Sequence, residues 1–412
     1  MKPPRPGQRP GQRPGLHPTV IVLAGMHFLT DGYGNIYAPL LPLLIPHLNM
    51  SLATAGTLAM CYQMANSVSQ LGFGHIADRW RPRVLVIGGP LVAVSILSLI
   101  GLATSTWTLG LVLVLGGLGG AAFHPPAAAL VHRLSGDRKS FAMGFHITAG
   151  SLGFSLGPLV FAPFADRYGL QWTPLLMIPA LAILAFRVQK IPPITLHERH
   201  ESGALRALRP YARPLTLLYL IVVLRTLASL SFATFMPVML TRRGMSVGEA
   251  GIAVAMYLFA TSAGGFLGGP LADRWGARRI IMGSLIAAVP FLAIAPTLDG
   301  WWFVAVVSVG GFFLQSTLPV NVTFGQTIAP ISAATVSSLM MGFGWGSAGL
   351  SVPFVGLLAD RIGIEHALMA MAFMPLGAAM LAAPLPGGTL VHVGARASDV
   401  GAAETSGADV AP

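Results

Sequence analysis

The sequence predicts an all-helical membrane protein in which twelve transmembrane helices form two six-helix halves. Three observations lead to this prediction. Only 9% of the 412 residues are charged whereas 54% are hydrophobic, and a soluble domain carries about 25% charged residues. The apolar runs reach the roughly 20 residues that a helix needs to cross a bilayer. A charged tripeptide recurs four times, at nearly constant spacing between the two halves.

Twelve apolar runs separated by polar loops account for the predicted helices. They lie near residues 18–45, 52–74, 83–104, 107–131, 140–164, 171–190, 214–240, 248–271, 279–297, 301–328, 333–357 and 365–386. The predicted domains are a tail at 1–17, an N-terminal six-helix bundle at 18–190, a cytoplasmic linker at 191–213, a C-terminal six-helix bundle at 214–386 and a second tail at 387–412. Both tails are predicted to be disordered because Pro, Arg, Gly, Ala and Ser dominate them.

The distribution of basic residues predicts the orientation. Twenty of the 25 Lys and Arg residues fall in tails and loops on one side, four fall on the other side and Arg225 lies within a span. Cytoplasmic loops carry an excess of Lys and Arg, so both termini are predicted to be cytoplasmic. The formal net charge of +11 does not indicate nucleic-acid binding, because the basic residues lie in short loops between apolar runs. One cysteine, Cys61, excludes an intrachain disulfide.

The tripeptide Ala-Asp-Arg is the strongest architectural signal. Equivalent copies in the two halves are offset by 195 and 194 residues, and each copy follows the second helix of a three-helix group. Because three is odd, successive groups must insert with opposite orientation. Inverted three-helix repeats inside two parallel halves resemble the design of the major facilitator superfamily of secondary transporters. The four copies are Ala77-Asp78-Arg79, Ala165-Asp166-Arg167, Ala272-Asp273-Arg274 and Ala359-Asp360-Arg361.

Polar residues deep in the spans indicate a transport site. Asp31 is the only Asp, Glu, Lys or Arg between Arg13 and Asp78, and a carboxylate at the centre of a membrane helix costs roughly 2.5–3.5 kcal/mol on insertion scales. In the superfamily that the sequence resembles, spans one, four, seven and ten line the central cavity. Each of these spans carries a strong polar group here. The groups are Asp31, His124, Arg225, and the pair Gln315 and Asn321.

The chemistry of these groups predicts proton coupling and anion binding. Burial favours a neutral carboxyl group, whereas a neighbouring Arg225 would hold Asp31 ionised, so the balance allows proton exchange. His124 titrates near neutral pH, and we assign proton coupling to Asp31 and His124. The Arg225 fork suits a carboxylate or phosphonate. The predicted substrate-binding residues are Arg225, His27, Gln63, Gln315 and Asn321. Structural alternatives stay open. Asp31 and Arg225 would then form an ion pair without a transport role. Histidines such as His146 would be packed and hydrogen-bonded, and Gln63 would only join neighbouring helices.

Two loops and one glycine pattern indicate further roles. The segments 74–83 and 269–279 resemble the superfamily's signature loop, although Arg81 stands where the family has its second glycine. By resemblance, a charged set would close the cytoplasmic side: Asp78, Arg79, Arg83, Asp273, Arg274 and Arg278. The alternative is that these residues lie in solvated loops. Span five carries Gly153, Gly157 and Pro158, which resemble the start of a motif found in exchangers of the superfamily. The alternative is that these small residues allow close packing between helices.

Other motifs resemble the fosmidomycin-resistance family of bacterial transporters. They are Met26-His-Phe-Leu-Thr-Asp31, Ala122-Phe-His-Pro125, Gly150-x-x-Gly153-x-x-x-Gly157-Pro158-Leu159 and the segment 336–346 leading to Gly356-Leu-Leu-Ala-Asp360. The resemblance implies proton-coupled drug efflux across the bacterial inner membrane. The family can carry a glutamate where Pro126 stands here. Asp31 and His124 would then couple protons without it.

The predicted protein is therefore a monomeric transporter whose partners are protons, a small-molecule substrate and the lipid bilayer. An uptake symporter or facilitator for a small organic anion is the alternative on the same fold. A non-transporting sensor would need a fused signalling domain. We expect neither an enzyme nor a cofactor or metal, because the spans contain no nucleophile–base pair and no set of metal ligands at cavity depth.

Overall fold

The computed structural model describes residues 16–79, 82–136, 138–189, 191–192, 208–329 and 333–387. These residues form helices joined by short connections, and no β-strand occurs among them. An all-helical architecture is therefore confirmed. Most of the predicted linker and of both predicted tails lies outside the described residues.

The first half of the chain contains eight α-helices among its described residues. Their bounds are Pro18–Gly34 (α1), Tyr37–Leu48 (α2), Leu52–Ser67 (α3), Ser69–Arg79 (α4), Pro82–Ser98 (α5), Thr106–Leu134 (α6), Lys139–Tyr168 (α7) and Met177–Val188 (α8). One 3₁₀ turn, Leu99–Leu102, lies at the end of α5, and a second, Leu170–Leu176, precedes α8.

The second half contains nine described α-helices. They are Ala212–Arg242 (α9), Val247–Trp275 (α10), Ala277–Ile294 (α11), Gly300–Gln315 (α12), Thr317–Ile328 (α13), Ala333–Ser338 (α14), Gly344–Ile362 (α15), Ile364–Ala372 (α16) and Met374–Ala382 (α17). A π-helical turn at Leu339–Phe343 joins α14 to α15. Such turns occur mostly inside longer helices, so α14, the π turn and α15 form one continuous rod.

Within the described residues, nine segments are long and apolar enough to cross a membrane. The predicted first span is divided instead into α1 and α2, with the break at Asn35–Ile36. Gly34 and Asn35 are poor helix formers, and the Asn35 side chain donates to the Phe154 carbonyl at 2.9 Å. The predicted second span is likewise divided into α3 and α4. The count of twelve spans stays a prediction.

Helix contacts pack α1 against α5, α6 and α7, and further contacts join the two halves. α1 packs most extensively on α7 and also contacts α5 and α6. Between the halves, α3 packs along α15 and α7 packs along α10. The polar residues of α1 therefore face α6 and α7, while the contacts between the halves run through the neighbouring helices.

Candidate functional site

Asp31 lies between two histidines where α1 meets α6 and α7. Its Oδ2 atom is 3.1 Å from Nε2 of His27, one helical turn earlier on α1. Its Oδ1 atom is 3.4 Å from Nε2 of His124 on α6. The Asp31 side chain is 23% exposed. We call His27, Asp31 and His124 the histidine–aspartate cluster.

The orientation of His27 fixes where a proton must lie in this cluster. Its Nδ1 atom is 2.9 Å from the backbone carbonyl oxygen of His146 on α7. A carbonyl only accepts, so Nδ1 carries a hydrogen, and a neutral imidazole then has a bare Nε2. A bare nitrogen and an ionised carboxylate would both be acceptors at 3.1 Å. The contact between His27 and Asp31 therefore requires one proton that the two groups share.

His124 reaches the cluster from a helix that contains two consecutive prolines. Pro125 and Pro126 follow it inside α6, which continues through them from Thr106 to Leu134. Proline has no backbone donor, so the carbonyls of Ala121 and Ala122 lose their usual partners four residues later. The His124 ring packs edge-on against His27, with ring centroids 5.1 Å apart.

Three glycines of α7 allow this helix to touch α1 at the cluster. A Cβ atom on Gly150 would lie 2.7 Å from Oδ2 of Asp31. A Cβ atom on Gly153 would overlap the carbonyl oxygen of Phe28, and one on Gly157 would overlap that of Gly32. The predicted Gly153 and Gly157 thus lie against the α1 backbone. Close packing at these positions brings the His146 carbonyl within reach of His27.

Arg225 forms a separate polar site in the second half. Its side chain is fully buried. Nη1 donates to Oε1 of Gln315, and Nη2 donates to the Thr226 hydroxyl at 2.9 Å. Nε has no hydrogen-bond partner, and no acidic side chain of the described residues pairs with the guanidinium. The expectation that Arg225 would hold Asp31 ionised is therefore not met, because histidines contact Asp31 instead.

The remaining predicted substrate residues are not joined to Arg225 by hydrogen bonds in the described part of the chain. Gln63 donates to the Ser67 hydroxyl at 2.8 Å on its own helix. Asn321 is fully buried on α13, and both its amide nitrogen and its amide oxygen lack a hydrogen-bond partner. Two unpaired polar atoms in the interior are costly, so the Asn321 amide has a free donor and a free acceptor for a polar partner.

The signature-loop residues that the structure describes do not form a bond between the halves. The side chains of Asp78 and Arg79 lie outside the described ones, Arg83 is half-buried, and Asp273 and Arg274 are exposed. Arg278 donates to the backbone carbonyls of Ala383 and Leu385, at 3.4 and 3.2 Å. It therefore fastens the end of the last helix within the second half.

Comparison with known proteins agrees with this architecture. The family model of the Major Facilitator Superfamily matches residues 23–239 and 218–397, and together these matches cover most of the chain. The chain belongs to the Major Facilitator Superfamily. Members of this superfamily are membrane transporters rather than enzymes, and the cluster and Arg225 are therefore considered as parts of a transporter.

Individual members of the superfamily resemble the chain over most of its length. The fosmidomycin resistance protein of Escherichia coli strain K12 is 29% identical over 364 residues, which are 85% of this chain and 88% of that protein. A solved bacterial homologue of the human lysosomal transporter Spinster has a TM-score of 0.72 at 17% identity and covers 89% of this chain and 97% of its own. A solved mutant of the nucleoside transporter NupG has a TM-score of 0.73 at 14% identity, covering 88% and 98%. The two structural likenesses concern the fold alone.

Some contributors to the site could not be identified from side-chain chemistry. His146 takes part through its backbone carbonyl, which any residue would offer. Gly150 approaches the carboxylate only because α7 lies against α1, and the regular glycine spacing was the one available signal. His27 was expected to bind substrate, and the structure places it against Asp31.

Proposed function

We propose that the chain is a proton-coupled efflux transporter of the bacterial inner membrane, which exports a small drug-like or anionic molecule by alternating access. The observation that carries this proposal is the 3.1 Å contact between His27 and Asp31, which requires a proton between the two groups. Superfamily membership and the similarity to a fosmidomycin resistance protein support it. We also place both termini in the cytoplasm and expect a monomer.

Loss of the shared proton supplies a physical link to conformational change. Without it, the bare Nε2 of His27 and the ionised Asp31 repel each other at a separation of 3.1 Å. His27 and Asp31 both belong to α1, and the other ring nitrogen of His27 is bonded to the His146 carbonyl on α7. If the His27 ring turns away from Asp31 to relieve the repulsion, it gives up that bond, and a contact between α1 and α7 is lost. His124, on the other carboxylate oxygen, is placed to receive or deliver the proton.

The histidine–aspartate cluster also has the spacing of a metal site, whereas the sequence predicted no set of metal ligands at cavity depth. The donor atoms of its three side chains lie within 4.8 Å of one another. We interpret the cluster as a proton site because His27 and Asp31 already contact each other directly, at the hydrogen-bonding distance of 3.1 Å. Protonation also changes the charge at this point, which alternating access driven by a proton gradient requires.

Arg225 is the proposed anchor for the anionic part of the substrate. A buried cation that contacts only neutral groups carries a large desolvation penalty, which an anion would offset. The guanidinium fork matches a carboxylate or phosphonate, and Nε is unpaired. Gln315 already contacts Arg225, and the unpaired amide of Asn321 offers a further donor and acceptor. Because Arg225 is closed to solvent here, substrate would bind it in another conformation.

A resistance screen tests the proposed function. The chain would be expressed in an efflux-deficient bacterial strain, with fosmidomycin and a panel of anionic and neutral antibiotics as probes. We expect resistance to at least one compound, its loss with a protonophore, and its loss in Asp31→Asn at unchanged protein level. Asp299→Asn, at an exposed position in the second half, is the matched control. Full resistance in Asp31→Asn would contradict the proton role.

Uptake of a small organic anion is the alternative on the same fold, since Arg225 favours an anion in either direction. Transport of the labelled compound in everted and right-side-out vesicles separates the two. Proton-driven accumulation in everted vesicles indicates efflux. Accumulation only in right-side-out vesicles indicates uptake and would overturn the proposed direction.

A further inference from the structure

Two carboxylates join the halves of the molecule on one face of the bundle. This face is the side on which α7 and α15 end, and we call it the outer face. Asp360, at the end of α15, accepts from the backbone nitrogens of Leu52 and Ala53, at 3.0 and 2.9 Å. Asp166, at the end of α7, accepts from the backbone nitrogen of Gly248 at 3.1 Å. Each bond runs from one half to the other.

The two contacts are equivalent by the internal repeat. Asp166 and Asp360 belong to two copies of the Ala-Asp-Arg tripeptide, 194 residues apart. Their partners Ala53 and Gly248 are both the second residue of a helix and lie 195 residues apart. The same kind of bond therefore occurs twice. In one copy the second half supplies the carboxylate and the first half the helix, and in the other copy these roles are exchanged.

These bonds complete the capping of α3 and α10. The first backbone N–H groups of a helix have no partner within it. Ser51 caps Thr54 at 3.1 Å, and Ser246 caps Glu249 at 3.1 Å. The N–H groups of Leu52, Ala53 and Gly248 are then left for the carboxylate of the other half. A carboxylate at a helix N-terminus is favoured by the helix dipole and by charge-assisted bonding.

On the opposite face, the repeat counterpart Asp273 is exposed and forms no hydrogen bond with the first half among the described residues. There, α4 packs on α6 and α5 of its own half and has no extensive contact with the second half. The signature-loop residues Asp273 and Arg274 are exposed. In this conformation the bonds of Asp166 and Asp360 join the two halves at the outer face.

We infer that Asp166 and Asp360 are the two latches of the outer gate. They hold the outer face closed by capping helices of the opposite half, and they release those helices when the transporter opens outward. The inference rests on the alternating access proposed above. It assigns a role to the Ala-Asp-Arg copies at 165–167 and 359–361, which lie outside the two signature loops.

Distance measurements between spin labels test the latches without any substrate. In a Cys61→Ser background, Thr104→Cys and Thr297→Cys place labels at exposed sites of the two halves on the outer face. His132→Cys and Thr327→Cys place a second pair on the opposite face. Asp166→Ala/Asp360→Ala is compared with Asp299→Ala, which removes an outer-face carboxylate that pairs with Arg243 inside the second half, at 3.2 Å.

We expect the double variant to lengthen the outer distance and shorten the inner one, while Asp299→Ala leaves both unchanged. Asp166→Asn/Asp360→Asn should give an intermediate shift, because an amide oxygen still accepts one bond. This milder variant serves if the alanine protein does not fold. Unchanged distances in the folded double variant, or an equal shift in Asp299→Ala, would overturn the inference. Since no transport is measured, failure of proton coupling at Asp31 leaves this test unaffected.

Discussion

Asp31 acquires its proposed role from its neighbours rather than from its own position. The sequence identified Asp31 and His124 because a carboxylate and a histidine are costly and chemically active at membrane depth. It did not identify His27 as the direct partner, although the spacing of four residues places both on one face of α1. Nor could it exclude a contact with Arg225. The partner depends on how α1 is rotated against α6 and α7, and that packing is set by distant glycines.

Replacement of His27 should impair proton coupling more than replacement of His146. His27→Gln removes the ring nitrogen that shares the proton, and a hydrogen bond to a charged group contributes about 1.5–3 kcal/mol, so proton-driven transport should fall roughly tenfold or more. His146→Gln keeps the backbone carbonyl and should have a smaller effect. Initial rates of transport under an imposed pH gradient measure both. Equal losses in the two variants would contradict the assigned geometry.

Substitution of Arg225 should distinguish anionic from neutral compounds. Arg225→Lys keeps a positive charge but loses the planar fork that contacts Gln315 and Thr226. We expect a higher concentration for half-maximal transport of anionic compounds and little change for neutral ones. Arg242→Lys, at the exposed end of the same helix, is the control. Similar changes for both kinds of compound would argue against an anion site.

At the scale of the helices, the apolar runs predicted most segments but not their internal breaks. The first predicted run continues without a charge through Gly34 and Asn35, so hydropathy alone predicted one helix where α1 and α2 stand. The break is fixed by the bond from Asn35 to Phe154, which lies on a distant helix. Pro125 and Pro126 lie inside the predicted run 107–131, and α6 continues through both of them from Thr106 to Leu134.

The glycine contact between α7 and α1 should be sensitive to a single methyl group. Gly153→Ala places a Cβ atom against the Phe28 carbonyl, and overpacking of this kind costs about 1–3 kcal/mol. We expect lower thermal stability in detergent and weaker transport. Gly144→Ala on the same helix is the matched control, because a Cβ atom there meets nothing within 4 Å. If both variants melt at the same temperature, the tight contact does not exist in the membrane.

At the scale of the whole molecule, the repeat predicted two related halves, and the superfamily match confirms the family to which they belong. The sequence predicted that the signature loops, 74–83 and 269–279, act as gates. The structure shows bonds between the halves at the other two tripeptide copies instead. The proposed alternating access requires a closed form of each face, and a single conformation displays only one of them. The four tripeptide copies are therefore visible in the sequence, but which of them form bonds between the halves depends on the conformation.

The most direct test of proton coupling compares two transport modes in reconstituted vesicles. The probe is the compound to which expression gives the greatest resistance. Exchange of labelled for unlabelled compound needs no net proton movement, whereas accumulation driven by a pH gradient does. We predict that Asp31→Asn retains exchange but loses gradient-driven accumulation, while the wild-type protein performs both. Gradient-driven accumulation at the wild-type level in Asp31→Asn would contradict the role of the histidine–aspartate cluster.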